Sequence, residues 1–197
     1  ICEAVSFTYP SQETQVLASV SCRIEPGEKV ILVGENGSGK TTLLRLLTKV
    51  YLPTSGTVRI GLPLDEITQE ALTRHLLYVT QQFEVPRLEI DLAVTGEPRE
   101  SVDTPRLMHA AYISGAHHFV NDLPRKFETQ IGEEWPDGVG FSQGQLQRLS
   151  LTAALYRFLR PEVYVGLFDE PMAHCDVETR EAFYREVTSL LDKTVIV

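Results

Sequence analysis

Apolar side chains fall at alternate positions twice near the start of the chain, as Val5, Phe7 and Tyr9 and again as Val20, Cys22 and Ile24. Both runs predict half-buried β-strands. The turn Glu25-Pro26-Gly27-Glu28 leads from the second run into Lys29-Val30-Ile31-Leu32-Val33. A stretch apolar on both faces belongs to a central strand of a parallel sheet. The period then changes, because Leu43, Leu44, Leu46 and Leu47 recur at helical spacing after a glycine-rich interval. Strand, loop and helix are thus predicted in succession.

Further along, the turn residues at 53–56 precede a strand at 57–60, and 76–80 reads as another short strand. From 103 to 119 the pattern is helical, with Leu107, Ala110, Ala111 and Ile113 on one side, and the next strand signal is 163–168. Helices are predicted at 144–159 and 177–191. The apolar run Lys193-Thr194-Val195-Ile196-Val197 starts one more strand at the last residue, so the domain is expected to continue past it. This pattern predicts an α/β core over 1–85 and 160–197, with an antiparallel β region and a helical subdomain inserted over about 86–159.

A chain of 197 residues, 43% hydrophobic, is long enough to bury one core. Its formal net charge of -9 opposes a nucleic-acid surface, which is normally basic, so any phosphate site must be local. No apolar run has the roughly 18 residues of a membrane helix, and no signal segment opens the chain, so this piece is expected to be soluble. Cys2, Cys22 and Cys175 are far apart and odd in number, which fits a reducing cytosolic location better than a disulfide framework or a zinc cluster.

The glycine-rich interval carries the first chemistry. Gly34, Gly39, Lys40 and Thr41 satisfy G-x-x-x-x-G-K-[ST] between a buried strand and a helix. In such a loop the backbone of Glu35, Asn36, Gly37, Ser38 and Gly39 wraps phosphate oxygens with inward N–H groups, at a helix end that carries partial positive charge. Lys40 adds a full charge at the β/γ end. The Thr41 hydroxyl suits Mg²⁺ held by the phosphates, and Thr42 reaches a phosphate oxygen. The loop is expected to hold a nucleoside triphosphate.

Asp169 and Glu170 end the second apolar strand, where a parallel sheet sets side chains at its C-terminal edge. An aspartate there can hold Mg²⁺, and the next carboxylate can polarise a water for attack on the γ-phosphate. Ser142, Gln143, Gly144 and Gln145 open a helix and offer a second anion site. Because the glycine loop already encloses one triphosphate, this helix is read as capping the triphosphate of another copy.

Taken together, these motifs resemble a known family. Phe141-Ser142-Gln143-Gly144-Gln145 resembles the LSGGQ signature of ABC ATPases, 34–42 their Walker A loop, and 163–171 their Walker B strand. The resemblance covers nearly the whole chain and implies the ABC ATPase fold, an α/β P-loop architecture with a mixed sheet. It also implies ATP and Mg²⁺, hydrolysis with Glu170 as catalytic base, and Mg²⁺ ligation through Thr41, Gln81 and Asp169. Tyr9 matches the aromatic that stacks on adenine, and Val16 an apolar neighbour of that ring. Gln81 matches the Q-loop glutamine, with Gln82 the alternative register, and Asp176 the D-loop aspartate that contacts the opposite subunit.

The segment 115–140 is similar to exporter-type members, in which this region touches the cytoplasmic ends of membrane helices. That implies a second nucleotide-binding domain in a head-to-tail dimer, an exporter's transmembrane domain as partner, and a place at the cytoplasmic face of a membrane. His117 and His118 are read as surface or lobe packing. Gln143 departs from the signature, where glycine is expected, and Met172, His174 and Cys175 depart from the usual D-loop. The family's switch histidine would follow the strand at 193–197. Two alternatives stand beside the exporter reading: a non-transport ABC ATPase, and a regulatory ATP-binding half with a weakly active site.

Overall fold

A computed structural model of the chain describes all residues except 11, 81–83, 173–174 and 176. It divides into two compact units. One comprises Ile1–Tyr78, Tyr164–Asp169 and Asp192–Val197, the other Val79–Val163 and Glu170–Leu191.

The first unit contains β1 (Cys2–Phe7), β2 (Leu17–Cys22), β3 (Lys29–Val30), α1 (Lys40–Leu47), β4 (Ser55–Ile60), β5 (Leu62–Pro63), α2 (Gln69–His75), all but the last residue of β6 (Leu76–Val79), β7 (Val165–Phe168) and β8 (Thr194–Ile196). One sheet has the order β2-β1-β4-β5 and the other β3-β8-β7-β6. The first pairs antiparallel, and β3-β8 and β8-β7 pair parallel. In β1 the inward residues are Cys2, Val5 and Phe7, one step out of strict alternation. A register irregularity between Cys2 and Val5 absorbs the extra residue, with Ala4 at φ 49°. Opposite it, a Cβ on Gly56 would stand 2.3 Å from the Ala4 carbonyl oxygen, so only glycine fits there. The strand stops at Phe7, short of the predicted Tyr9.

Val5, Phe7 and Val58 from the antiparallel sheet, Leu44 and Leu46 from α1, and Leu167 from β7 share one apolar cluster. Burying each such side chain contributes about 1.5–3 kcal/mol, which seats α1, and the loop that starts it, against both sheets. The strand predicted as central at 29–33 differs from expectation. β3 covers only Lys29–Val30 and lies at an edge of the sheet, and Ile31 and Val33 are 73% and 90% exposed. Pairing with β8 satisfies one side only, through Leu32 N–H to Val197 O and Val197 N–H to Val30 O.

The second unit is helical: α3 (Ile90–Thr95), α4 (Thr104–Ile113), α5 (His117–Val120), α6 (Gln143–Phe158) and α7 (Val177–Ser189). Helix α6 packs on α3 and α4, and α4 also meets α7. Leu149, Leu155 and Phe158 of α6 are fully enclosed, as are Ile90, Ile113 and Phe183. The helix predicted across 103–119 breaks in two, because Gly115 adopts φ 73° after Ser114 and ends α4. Its start matches local chemistry, since the Asp103 carboxylate accepts from Arg106 N–H. Two hydroxyls in this core pair with each other: those of Ser114 and Thr152 lie 2.7 Å apart. Among the described residues no helix is long and apolar enough to cross a membrane.

Candidate nucleotide site

The glycine loop lies exposed over Gly34 to Ser38 and dips inward at Gly39, which caps α1 with φ 98°. A Cβ at that position would stand 2.7 Å from Leu17 Cδ2 and 3.3 Å from the Val16 carbonyl oxygen. Both the left-handed backbone and the contact therefore demand glycine. No side chain caps α1, and its first turn holds no acidic residue. The helix end therefore keeps its positive dipole for an outside anion. Lys40 Nζ donates to the carbonyls of Gly34 (2.7 Å) and Glu35 (3.1 Å), bending back over the loop it follows.

The end of β7 meets this helix. Thr41 Oγ1 donates to Asp169 Oδ1 at 3.0 Å, and Tyr78 Oη donates to Asp169 Oδ2 at 3.2 Å. Burial first, then the Asp169 carboxylate, push the Tyr78 phenol up to about 12, so it remains a donor. The nearby Arg45 charge opposes that rise, and Arg45 donates to Tyr9 Oη at 3.4 Å. The Tyr9 hydroxyl in turn lies 3.0 Å from Thr42 Oγ1. The Tyr9 ring packs edge-on against Phe7 (4.9 Å) and Tyr51 (5.3 Å). Val16 lies against Gly39, with its N–H bonded to the Phe7 carbonyl.

A hydroxyl and a carboxylate in contact make an all-oxygen donor pair, which suits a hard divalent cation. Among the described residues no group of three or more His, Cys, Asp or Glu side chains converges to hold a metal. A cation at this pair therefore needs oxygens from a ligand, which is the usual condition of Mg²⁺ beside a polyphosphate. The residues fit that ion.

In the second unit Glu170 is exposed and adopts φ 49°, a left-handed backbone rarely taken by a non-glycine residue. Such conformations concentrate at functional positions. Helix α6 begins with a complete capping box: Ser142 Oγ accepts from Gln145 N–H at 3.2 Å, and Gln145 Oε1 accepts from Ser142 N–H at 2.9 Å. Gln143 is exposed as the first residue of the helix. Among the described residues outside its own helix turn, a Cβ on Gly144 would meet nothing within 4 Å, so this glycine leaves open space above the helix end. Gln147 Nε2 donates to the Pro171 carbonyl at 3.1 Å, tying α6 to the turn after Glu170. The rings of His117 and His118 lie 3.9 Å apart, and burial, then His118, lower the His117 pKa. Gln81, Gln82 and Asp176 lie outside the described residues.

Two residues beside Asp169 escaped the motif reading, Tyr78 and Arg45. The signal was present as a phenol in the otherwise aliphatic Leu76-Leu77-Tyr78-Val79 and a cation inside the leucine run of α1. Neither carries a spacing rule that names a partner.

The chain is similar to known proteins. The family model described as ABC transporter matches residues 17–173. The ATP-dependent lipid A-core flippase of Chromobacterium violaceum is 34% identical over 197 residues, covering 99% of this chain and 32% of its own length. The cyclolysin secretion/processing ATP-binding protein CyaB of Bordetella pertussis is 34% identical over 199 residues, covering 99% of this chain and 26% of its own. A solved bacterial Atm1-family ABC exporter with ATP bound superposes with a TM-score of 0.83 at 25% identity, over 99% of this chain and 33% of that one. The chain thus spans about a third or less of the length of these relatives.

Proposed function

This chain belongs to the ABC transporter family as an ATP-binding, ATP-hydrolysing domain of exporter type, and on that premise we propose how its residues divide the work of an export cycle. The observation that carries the reading is the contact of Thr41 with Asp169, which joins the phosphate loop to the strand-end carboxylate. The loop backbone from Glu35 to Gly39 and the start of α1 bind the phosphates. Lys40 leaves its two carbonyl partners for the β/γ oxygens, exchanging neutral acceptors for charged ones. Thr41 and Asp169, with Gln81, would hold Mg²⁺, which would supply charge neutralisation to the phosphates. Thr42 contacts a phosphate oxygen, Tyr9 stacks on the base, and Val16 flanks it.

Glu170 takes a proton from the water that attacks the γ-phosphorus, as the bond to the β-phosphate oxygen breaks and ADP and phosphate form. Ser142, Gln143, Gly144 and Gln145 cap the ATP of a second nucleotide-binding domain in a head-to-tail dimer, with Asp176 across the interface. The open space at Gly144 supports that role, because a partner's phosphate can approach the backbone there. ATP binding closes the pair and hydrolysis reopens it, moving a transmembrane domain at the cytoplasmic face of a membrane.

The test is ATP turnover by the full-length protein. Glu170→Gln should lose nearly all phosphate release while still retaining ATP. Wild-type turnover at or below that of Glu170→Gln would instead favour a regulatory half, for which Gln143 in place of the signature glycine is the specific pointer.

A further inference from the structure

A tyrosine on a half-buried strand must find a partner for its hydroxyl, and in β6 that partner is the strand-end carboxylate of β7. The contacts form a chain of defined direction. The Arg45 guanidinium is a charged neighbour of the Tyr78 hydroxyl, Tyr78 Oη donates to Asp169 Oδ2, and Asp169 Oδ1 accepts from Thr41. One carboxylate oxygen is thus held from behind while the other faces the phosphate loop. The same guanidinium reaches Tyr9, whose hydroxyl meets Thr42, so a single cation braces the residues next to both hydroxyls of the loop helix.

From these contacts we infer that Tyr78, backed by Arg45, is a positioning residue for Asp169, fixing the carboxylate so that Oδ1 is presented to the cation beside Thr41. The inference rests on the proposed Mg²⁺–ATP reading of the site. Hydrogen bonds to a metal-binding carboxylate orient it, and losing them costs about 10- to 100-fold in metal affinity. Tyr78 touches neither phosphate loop nor nucleotide in this role, so its effect should appear in the metal and not in the nucleotide.

The test uses full-length protein, fluorescent ATP with EDTA to read metal-free nucleotide affinity, and Mn²⁺ paramagnetic resonance with a non-hydrolysable ATP analogue to read the cation. Tyr78→Phe keeps the ring and should leave metal-free ATP affinity within about twofold while weakening Mn²⁺ about tenfold. Arg45→Met should weaken Mn²⁺ in the same direction, and in the Tyr78→Phe background it should add little, because Arg45 acts on Asp169 through the Tyr78 hydroxyl. If Tyr78→Phe binds Mn²⁺ like wild type, or loses metal-free ATP affinity to the same extent, the positioning role is wrong. If Tyr78→Phe does not fold, Arg45→Met decides by the same two readings. A wild-type protein that binds neither ATP nor Mn²⁺ overturns the underlying site reading instead, so the two failures are told apart.

Discussion

Thr41 Oγ1 and Asp169 Oδ1 are bonded at 3.0 Å although 128 positions separate them in the chain. A glycine loop is common as a turn, and the engagement of its helix hydroxyl by a strand-end carboxylate is what the proposed cation role rests on. Thr41→Val keeps the branched shape at the helix start and removes the oxygen. It should reduce Mg²⁺-dependent ATP affinity by about 1–3 kcal/mol, the cost of leaving a polar partner unmatched, with metal-free affinity little changed. Calorimetry with Mg²⁺ and with EDTA measures the difference.

Lys40→Ala removes the charge that lies over the loop. Its present partners are two exposed-loop carbonyls, which water can satisfy, so thermal stability should hold. ATP affinity should fall by at least about 2 kcal/mol, as for other truncated charge-assisted contacts. Unchanged affinity would remove the glycine loop from the binding site.

Tyr9 separates into two experiments. Tyr9→Phe removes only the hydroxyl next to Thr42 and Arg45, so ATP affinity should stay near wild type. Tyr9→Ala removes the ring and should weaken ATP by about 1–3 kcal/mol, the range for a base stacked on an aromatic. If both variants bind ATP normally, Tyr9 serves only the packing with Phe7 and Tyr51.

Ser142 has a duty within its own chain before any partner arrives. Its hydroxyl completes the capping box with Gln145, so Ser142→Ala should lower stability by about 1 kcal/mol. Denaturant unfolding of the ligand-free protein tests this, because no cross-subunit contact contributes there.

Gly144→Ala isolates the partner surface. Beyond its own helix turn, no described residue lies within 4 Å of the added methyl, and alanine is the better helix former, so the fold should be as stable or more so. In a Glu170→Gln background, expected to hold ATP without cleaving it, Mg-ATP should drive dimer formation by light scattering. Adding Gly144→Ala should return the protein to monomer with ATP still bound to its own loop. A dimer that survives the methyl group means the signature helix does not cap a partner's phosphate.

Local pattern was sufficient for the motif and for most of the elements around it. The G-x-x-x-x-G-K-T spacing dictates phosphate chemistry through backbone geometry alone, and the leucine period after it dictates α1, since both depend on neighbours a few residues apart. The capping box at Ser142 is local for the same reason, although its stabilising duty within α6 was not read from the pattern. Other features were decided by packing across the chain. Short α2 and α3 have too few turns to show a period, and the break at Gly115 overrides a continuous helical pattern. The irregularity at Ala4 shifts which residues of β1 face inward, and β3 lies at a sheet edge despite an apolar run suited to its middle. The Tyr78–Asp169–Thr41 chain has no sequence spacing at all, because hydrogen bonds between β6, the end of β7 and α1 exist only once the apolar cluster beneath them has set those elements side by side.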